Sequence, residues 1–303
     1  MNREQIINQN INAIFFEPSI KKIQIPIICI GGSEGGRPDN WAEDLAKKGF
    51  MVCALGYFAC EHRPENLLNI DLQYFVDVIE YIKNKYKCEK VIMIGKSRGA
   101  ECVLLLGSFF PYLFEKIIAL VPSAVVNGAF LYPNQPAWKY KNLDIPYMKG
   151  LFQDDFAMTE KMDLELGMQH KLMPYHSNTE QDPLMMIDLR IVRDKMYKNQ
   201  YENAKIKVEK ITSPLLLFSG KDDAVWPSYK YSEEIMQRLD ENKSIIKKEH
   251  ITYDNVGHGF LLDLPKAILH PIGKFWGKLG GGINENREAN EDCWKKMVQF
   301  ILN

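Results

Sequence analysis

Short apolar runs alternate with amphipathic stretches through the first half of the chain. Residues 23–30 read as a buried strand that ends at the glycines of Gly31-Gly32-Ser33-Glu34-Gly35-Gly36. Residues 41–48 are rich in helix formers, and Gly49 suits a C-terminal stop. Residues 50–55 are again strand-like. Over 67–86, apolar residues at Leu68, Leu72, Phe75, Val76, Ile79 and Ile82 recur at helical spacing and predict a helix. Residues 91–94 form another short apolar run, followed by a turn and helix over 95–110, and 117–121 close the series. Strands alternating with helices of this length predict crossover units and a mostly parallel sheet. Fully apolar strand runs fit a sheet covered by helices on both faces. The fold class is α/β.

The stretch from about 127 to 207 breaks this rhythm. It is rich in Pro, Met, Tyr and Asp, and only 188–204 carry a convincing helical pattern. We read it as a cap-like insertion over one end of the sheet, within one α/β domain spanning 1–303. The rhythm returns with an apolar run at 214–219, a helical stretch at 229–239 and a strand-like stretch at 248–253. Gly280, Gly281 and Gly282 then precede a last helix with Trp294, Met297 and Ile301 on one side.

Composition narrows the function classes. With 46% hydrophobic and 25% charged residues over 303 positions, the chain can bury a substantial core, which excludes disorder as its default state. Lys+Arg total 38 against 39 Asp+Glu, and the lysines are scattered. Phosphate binding calls for a basic excess or stripe, so no nucleic-acid partner is expected. No segment reaches the ~18 apolar residues of a spanning helix, and the first residues lack the apolar core of a signal peptide. Cys29, Cys53, Cys60, Cys88, Cys102 and Cys293 are widely spaced and form no C-x-x-C. Reduced thiols in a cytoplasmic protein are the expectation.

The sharpest chemical signal is Gly95-Lys96-Ser97-Arg98-Gly99, directly after an apolar run and opening a helix. That is the setting of a nucleophile elbow, in which flanking glycines let a strained strand-to-helix turn close and project the serine above the sheet. The N–H of Arg98 would then sit at a helix N-terminus, aimed at a developing oxyanion. A serine needs a base, and the base an orienting acid, in the chain order serine, acid, histidine. His258 lies in the glycine-flanked loop Asn255-Val256-Gly257-His258-Gly259 after the last strand-like stretch. His250 lies within that stretch, and His270 in an apolar-rich segment before Pro271. The acid should end the preceding strand, where Gly220-Lys221-Asp222-Asp223 offers two candidates. Asp223 is the choice, with Asp222 as a turn-capping alternative. The loop Gly31–Gly36 follows the first strong strand, where a second oxyanion donor belongs; a plain tight turn is the alternative reading. Glu34 disfavours an oxyanion there unless its side chain points away. There is no H-E-x-x-H, and Glu61-His62 and Glu249-His250 lack ligand spacing, so neither metal nor cofactor is expected.

Together these segments resemble the catalytic domain of the acyl-CoA thioesterase / bile acid-CoA:amino acid N-acyltransferase family, within the α/β-hydrolase superfamily. The likeness rests on the glycine loop followed by LAKKGFMVCALGYF, the elbow GKSRGAE, AVVNG, the acid loop FSGKDDAVWPS, the histidine loop VGHG and the closing GGINENREANEDCW. It implies Ser97 as nucleophile, His258 as base and Asp223 as acid, with an oxyanion hole from the N–H of Arg98 and one around Ser33 or Glu34. The N-acyltransferase branch carries cysteine at the nucleophile, so Ser97 favours hydrolysis. The animal thioesterases carry a β-sandwich domain before this one, and the short start here leads us to expect none. The expected activity is that of a serine hydrolase acting on small-molecule acyl thioesters or esters. A carboxylesterase or peptidase of the same fold is the alternative, and a non-catalytic binding protein a more distant one. Met148, Phe152, Phe156, Met158, Met162, Met168 and Met173 are candidates for an apolar acyl groove, with cap-to-body packing as the alternative for each.

Overall fold

Thirteen strands are described in the computed structural model, which covers residues 1–129, 132, 134–150, 190, 191, 193–195, 197–259, 269–272 and 275–303. They are β1 (Asn2–Ile7), β2 (Asn12–Glu17), β3 (Ile27–Ile30), β4 (Val52–Leu55), β5 (Ile70–Asp71), β6 (Val91–Lys96) and β7 (Phe114–Leu120). The later ones are β8 (Trp138–Tyr140), β9 (Leu143–Asp144), β10 (Leu215–Gly220), β11 (Lys248–Tyr253), β12 (Leu269–Ile272) and β13 (Phe275–Lys278). The helices are α1 (Asp39–Lys47), α2 (Gln73–Tyr86), α3 (Arg98–Phe109), α4 (Lys198–Ala204), α5 (Ser228–Glu241) and α6 (Ile283–Leu302).

The central sheet has eight strands in the order β1-β2-β4-β3-β6-β7-β10-β11. From β4 to β11 every pairing is parallel, while β1/β2 and β2/β4 are antiparallel. β3 and β4 are apolar throughout, and β6 and β10 carry apolar runs over 91–94 and 215–218, because successive side chains enter different cores. Ile28 and Ile30 of β3, Met93 of β6 and Leu217 of β10 face a core built with α2, α3 and α5. Ile27 and Cys29, Ile92 and Ile94, and Leu216 and Phe218 face a second core built with α1 and α6. Helices therefore cover both faces of a mostly parallel sheet, as the apolar runs predict.

The structure corrects the sequence reading at three places. The strand expected over 23–30 begins only at Ile27, since Pro26 has no N–H to give the ladder. The helix expected over 67–86 starts at Gln73. Before it, the N–H groups of Asn69, Ile70 and Leu72 bond the carbonyls of Pro136, Ala137 and Lys139, so long-range pairing overrides helical spacing. The β1/β2 hairpin was not anticipated. β1 is an exposed edge of mostly polar residues and β2 is almost wholly buried, so neither alternates. Of the stretch 188–204, residues 190, 191 and 193–195 are helical and α4 follows, while 188 and 189 lie outside the described residues. Among the described residues no helix is long and apolar enough to cross a membrane.

This topology makes a site. From β3 the chain crosses to β4 on one side, while β6 pairs on the other, so the loops after β3 and β6 part at the carboxyl ends of the strands. Ser97 follows β6, the loop Gly31–Gly36 follows β3, Asp223 follows β10 and His258 follows β11. All four segments arrive at the same end of the sheet.

Candidate active site

Ser97 stands between β6 and α3 with φ 54° and ψ −118°, a backbone conformation that costs a non-glycine residue roughly 1–3 kcal/mol. The turn is held by Ser97 N–H donating to Leu120 C=O at 2.9 Å and by Glu101 N–H donating to Ser97 C=O at 3.0 Å. Its two glycines are required by close approach. A Cβ on Gly95 would lie 2.2 Å from Gly99 O, and one on Gly99 would lie 2.3 Å from Gly31 O. The second contact also docks α3 against the loop that leaves β3.

His258 Nε2 lies 2.8 Å from Ser97 Oγ, and its Nδ1 lies 2.8 Å from Asp223 Oδ2. All three side chains are buried. The other Asp223 oxygen accepts the N–H groups of Val225 at 2.9 Å and Trp226 at 3.2 Å. An ionised carboxylate only accepts, so His258 Nδ1 carries the proton and Nε2 is left to accept from the serine hydroxyl. Asp222 points elsewhere: its Oδ2 accepts the N–H of Gly281 at 2.7 Å. The structure thus brings Ser97, His258 and Asp223 together and leaves Asp222 in the turn. His250 is apart from them, its Nε2 2.7 Å from Ser219 Oγ.

Arg98 is the first residue of α3, so its N–H belongs to the open end of the helix. The loop after β3 runs over Ser97 with Gly32 nearest, since a Cβ there would lie 2.9 Å from the Ser97 Cβ and 3.2 Å from Lys96 O. Tyr57 fixes this loop by donating its hydroxyl to Gly31 O at 3.0 Å. Ser33 and Glu34 are the next two residues. The Glu34 side chain turns back, its Oε2 2.7 Å from the position a Gly32 Cβ would take. Partial burial pushes its carboxyl up, but the Lys96 ammonium and the N–H groups of Glu34 and Gly32 outweigh that and hold it below its ordinary range. Lys96 is itself buried, with Nζ 3.8 Å from Glu34 Oε1; burial pulls its pKa down and Glu34 resists.

A buried polar network under the turn was not found from the sequence. Glu101, fully buried in the first turn of α3, accepts Trp138 Nε1 at 2.7 Å, Asn127 Nδ2 at 2.9 Å and Asn127 N–H at 3.2 Å, and pairs Arg98 Nη1 at 3.1 Å. Arg98 Nη2 donates to Asn127 O at 2.8 Å. Arg190 and Arg193 both donate to Asn127 Oδ1. Burial and the neighbouring Arg193 lower Arg190 to about 10, and its guanidinium lies 5.1 Å from the Trp226 ring centre. Trp226 in turn meets the His258 ring edge to face at 5.3 Å. The one available sequence signal was a charged pair, Arg98 and Glu101, at the head of an otherwise apolar helix. Of the proposed groove residues, Met148 is buried, and Phe152, Phe156, Met158, Met162, Met168 and Met173 lie outside the described residues. Among the described residues no three His, Cys, Asp or Glu side chains are placed to hold a metal ion.

A buried serine, imidazole and carboxylate in series, beside the Arg98 N–H at the open end of α3, is equipped for acyl transfer. Among solved structures, the chain is similar to a Paleococcus ferrophilus monoacylglycerol lipase, with TM-score 0.52 and 15% identity over 100% of this chain and 99% of that one. A Mycobacterium tuberculosis protein described as a non-heme bromoperoxidase BpoC matches with TM-score 0.50 and 14% identity, over 99% of this chain and 98% of that one. These likenesses carry the fold alone, which is the α/β-hydrolase fold. Among curated proteins, acyl-coenzyme A thioesterase 6 of Mus musculus is 27% identical over 95% of this chain and 61% of its own length. Acyl-coenzyme A thioesterase 1 of Homo sapiens is 25% identical over 91% of this chain and 59% of its own length. The chain thus spans about three-fifths of these relatives. A family model described as BAAT / Acyl-CoA thioester hydrolase C terminal matches residues 70–303, and the chain belongs to that family.

Proposed function

We propose that this protein is a serine hydrolase that cleaves acyl thioesters, acyl-CoA among them, through an acyl-enzyme on Ser97. The observation that carries the reading is the pair of 2.8 Å contacts joining Ser97, His258 and Asp223 at a strained strand-to-helix turn. Family membership supports a thioester as the bond cleaved.

Ser97 Oγ attacks the acyl carbonyl while His258 Nε2 takes the hydroxyl proton. Asp223 holds the imidazole in the required tautomer and stabilises the imidazolium. The carbonyl oxygen becomes an oxyanion facing the N–H of Arg98 and a second donor in the loop after β3, each donor typically worth ~3 kcal/mol. Of Ser33 and Glu34, Ser33 is the one whose N–H is not engaged by the Glu34 carboxylate. The tetrahedral adduct collapses, the C–S bond breaks, and the leaving thiolate takes the proton from His258. Water then gives a proton to His258 and its oxygen to the acyl carbon, and the carboxylic acid leaves as Ser97 recovers its hydrogen. Apart from the substrate and one water, these steps use only the chain's own groups. The reading treats 1–303 as one catalytic unit with an insertion at about 127–207.

The test is thiol release from acyl-CoAs of graded chain length beside alcohol release from matched simple esters, with Ser97→Ala as control. Thioester turnover that disappears in the variant is the expected result. Ser97-dependent turnover of esters alone would keep the nucleophile and discard the thioester assignment.

A further inference from the structure

The glycine-rich turn before α6 lies outside the catalytic series, yet it binds both loops that carry the acid and the base. Leu279 O accepts the N–H of His258 at 2.7 Å and the N–H of Ala224, next to Asp223, at 3.3 Å. Asp222 Oδ2 accepts the N–H of Gly281, and Gly282 N–H donates to Asn255 O at 3.1 Å. Three backbones meet here with no room for side chains. A Cβ on Gly257 would lie 2.1 Å from Gly280 O, and one on Gly280 would lie 1.8 Å from Asp222 O. Gly280 and Gly281 also have φ of 83° and 74°, which glycine adopts without strain.

One side chain spans the junction. Asn286, in the first turn of α6 and 1% exposed, accepts the N–H of Gly257 at 3.0 Å through Oδ1 and donates through Nδ2 to Gly280 O at 3.3 Å. Its own N–H donates to Gly282 O at 2.9 Å, so the helix fixes where the amide stands. Gly257 directly precedes His258. An amide that accepts from one strand of the junction and donates to the other sets their separation, and with it the position of the imidazole between Ser97 and Asp223.

We propose that Asn286 is a positioning residue for His258, with Asp222 as its counterpart on the acid loop. The inference rests on the hydrolase reading above for its kinetic effects, but not for its spectroscopic one. Misplacing a reacting group by about 1 Å can cost on the order of 10²-fold. Asn286→Ala is expected to lower kcat by roughly 10- to 100-fold with little change in KM, because substrate contacts are untouched. The downfield proton resonance of His258 Nδ1–H should shift or broaden in the same variant while its circular dichroism stays native. Asp222→Ala should lower kcat more mildly, and Asp222→Asn, which keeps an acceptor for Gly281 N–H, should restore it. If Asn286→Ala does not fold, Asn286→Asp, which keeps the acceptor for Gly257 N–H and loses the donor to Gly280 O, carries the same kcat and His258 resonance test beside the Asp222 pair. Unchanged kcat and an unchanged resonance would overturn the proposal, as would a fall in kcat matched by an equal loss of folded protein. An inactive wild type with a resonance that still moves in Asn286→Ala would discard the hydrolase reading and keep the positioning role.

Discussion

One oxygen of Asp223 takes two backbone N–H groups and the other takes the imidazole, so the two oxygens are not interchangeable. In Asp223→Asn the amide oxygen must stay on the backbone side, which turns the NH₂ toward His258 Nδ1. The ring then carries its proton on Nε2 and cannot accept from Ser97. Turnover is expected to fall on the order of 10⁴-fold while the urea midpoint barely moves. Sequence chose Asp223 but kept Asp222 as an alternative, because both leave the same turn and only Gly281, far along the chain, reveals that Asp222 is engaged elsewhere. The Lys96–Glu34 pair was equally hidden, since nothing local marks a lysine inside the elbow as buried. Glu34→Gln removes the interaction that holds the Lys96 pKa up. Because the Glu34 side chain is 38% exposed and solvent screens the pair, the expected loss at neutral pH is no more than about 1 kcal/mol. A folded-state pKa depressed below the unfolded value means that the unfolded chain binds more protons, so stability rises with pH in that window. The gap between Glu34→Gln and wild type should therefore narrow from pH 7 toward alkaline pH, read as urea midpoints.

At the scale of elements, α3 is anchored at its start by charge rather than by a side-chain cap. Glu101 ties the helix to Asn127 and Trp138, and so to β8, which lies beside β5. Removing one partner of a buried ion pair leaves the other uncompensated, so Glu101→Ala, which strands Arg98, should cost about 3–5 kcal/mol by urea denaturation. The parallel strands and α1 were legible because their residues meet covering helices on schedule. α2 was overextended because the deciding hydrogen bonds ahead of it run to Pro136, Ala137 and Lys139, far away in sequence, and the local apolar spacing carries no trace of them. The β1/β2 hairpin pairs locally but was missed because neither of its strands alternates.

The whole molecule puts its stability and its chemistry in different places. The two cores lie on either side of the sheet, whereas the catalytic candidates crown its carboxyl edge. Ile94→Ala, at the fully buried centre of β6, should cost about 2–5 kcal/mol, while Ile245→Ala, fully exposed, should stay within about 0.5 kcal/mol. Chain order and apolar rhythm made the sheet and the serine-acid-histidine sequence readable. The network of Arg98, Glu101, Asn127, Arg190 and Arg193 was not, since it exists only once distant segments fold together. The junction before α6 bears on the order in which a ribosome releases the chain. The serine turn emerges long before the acid and base loops, and those loops find Leu279, Gly280 and Asn286 only once these later residues have been made. Until then Ser97 is an ordinary alcohol, a weak nucleophile without its base. A nascent chain would therefore carry the elbow yet stay chemically silent until synthesis has passed Asn286, nearly two hundred residues later.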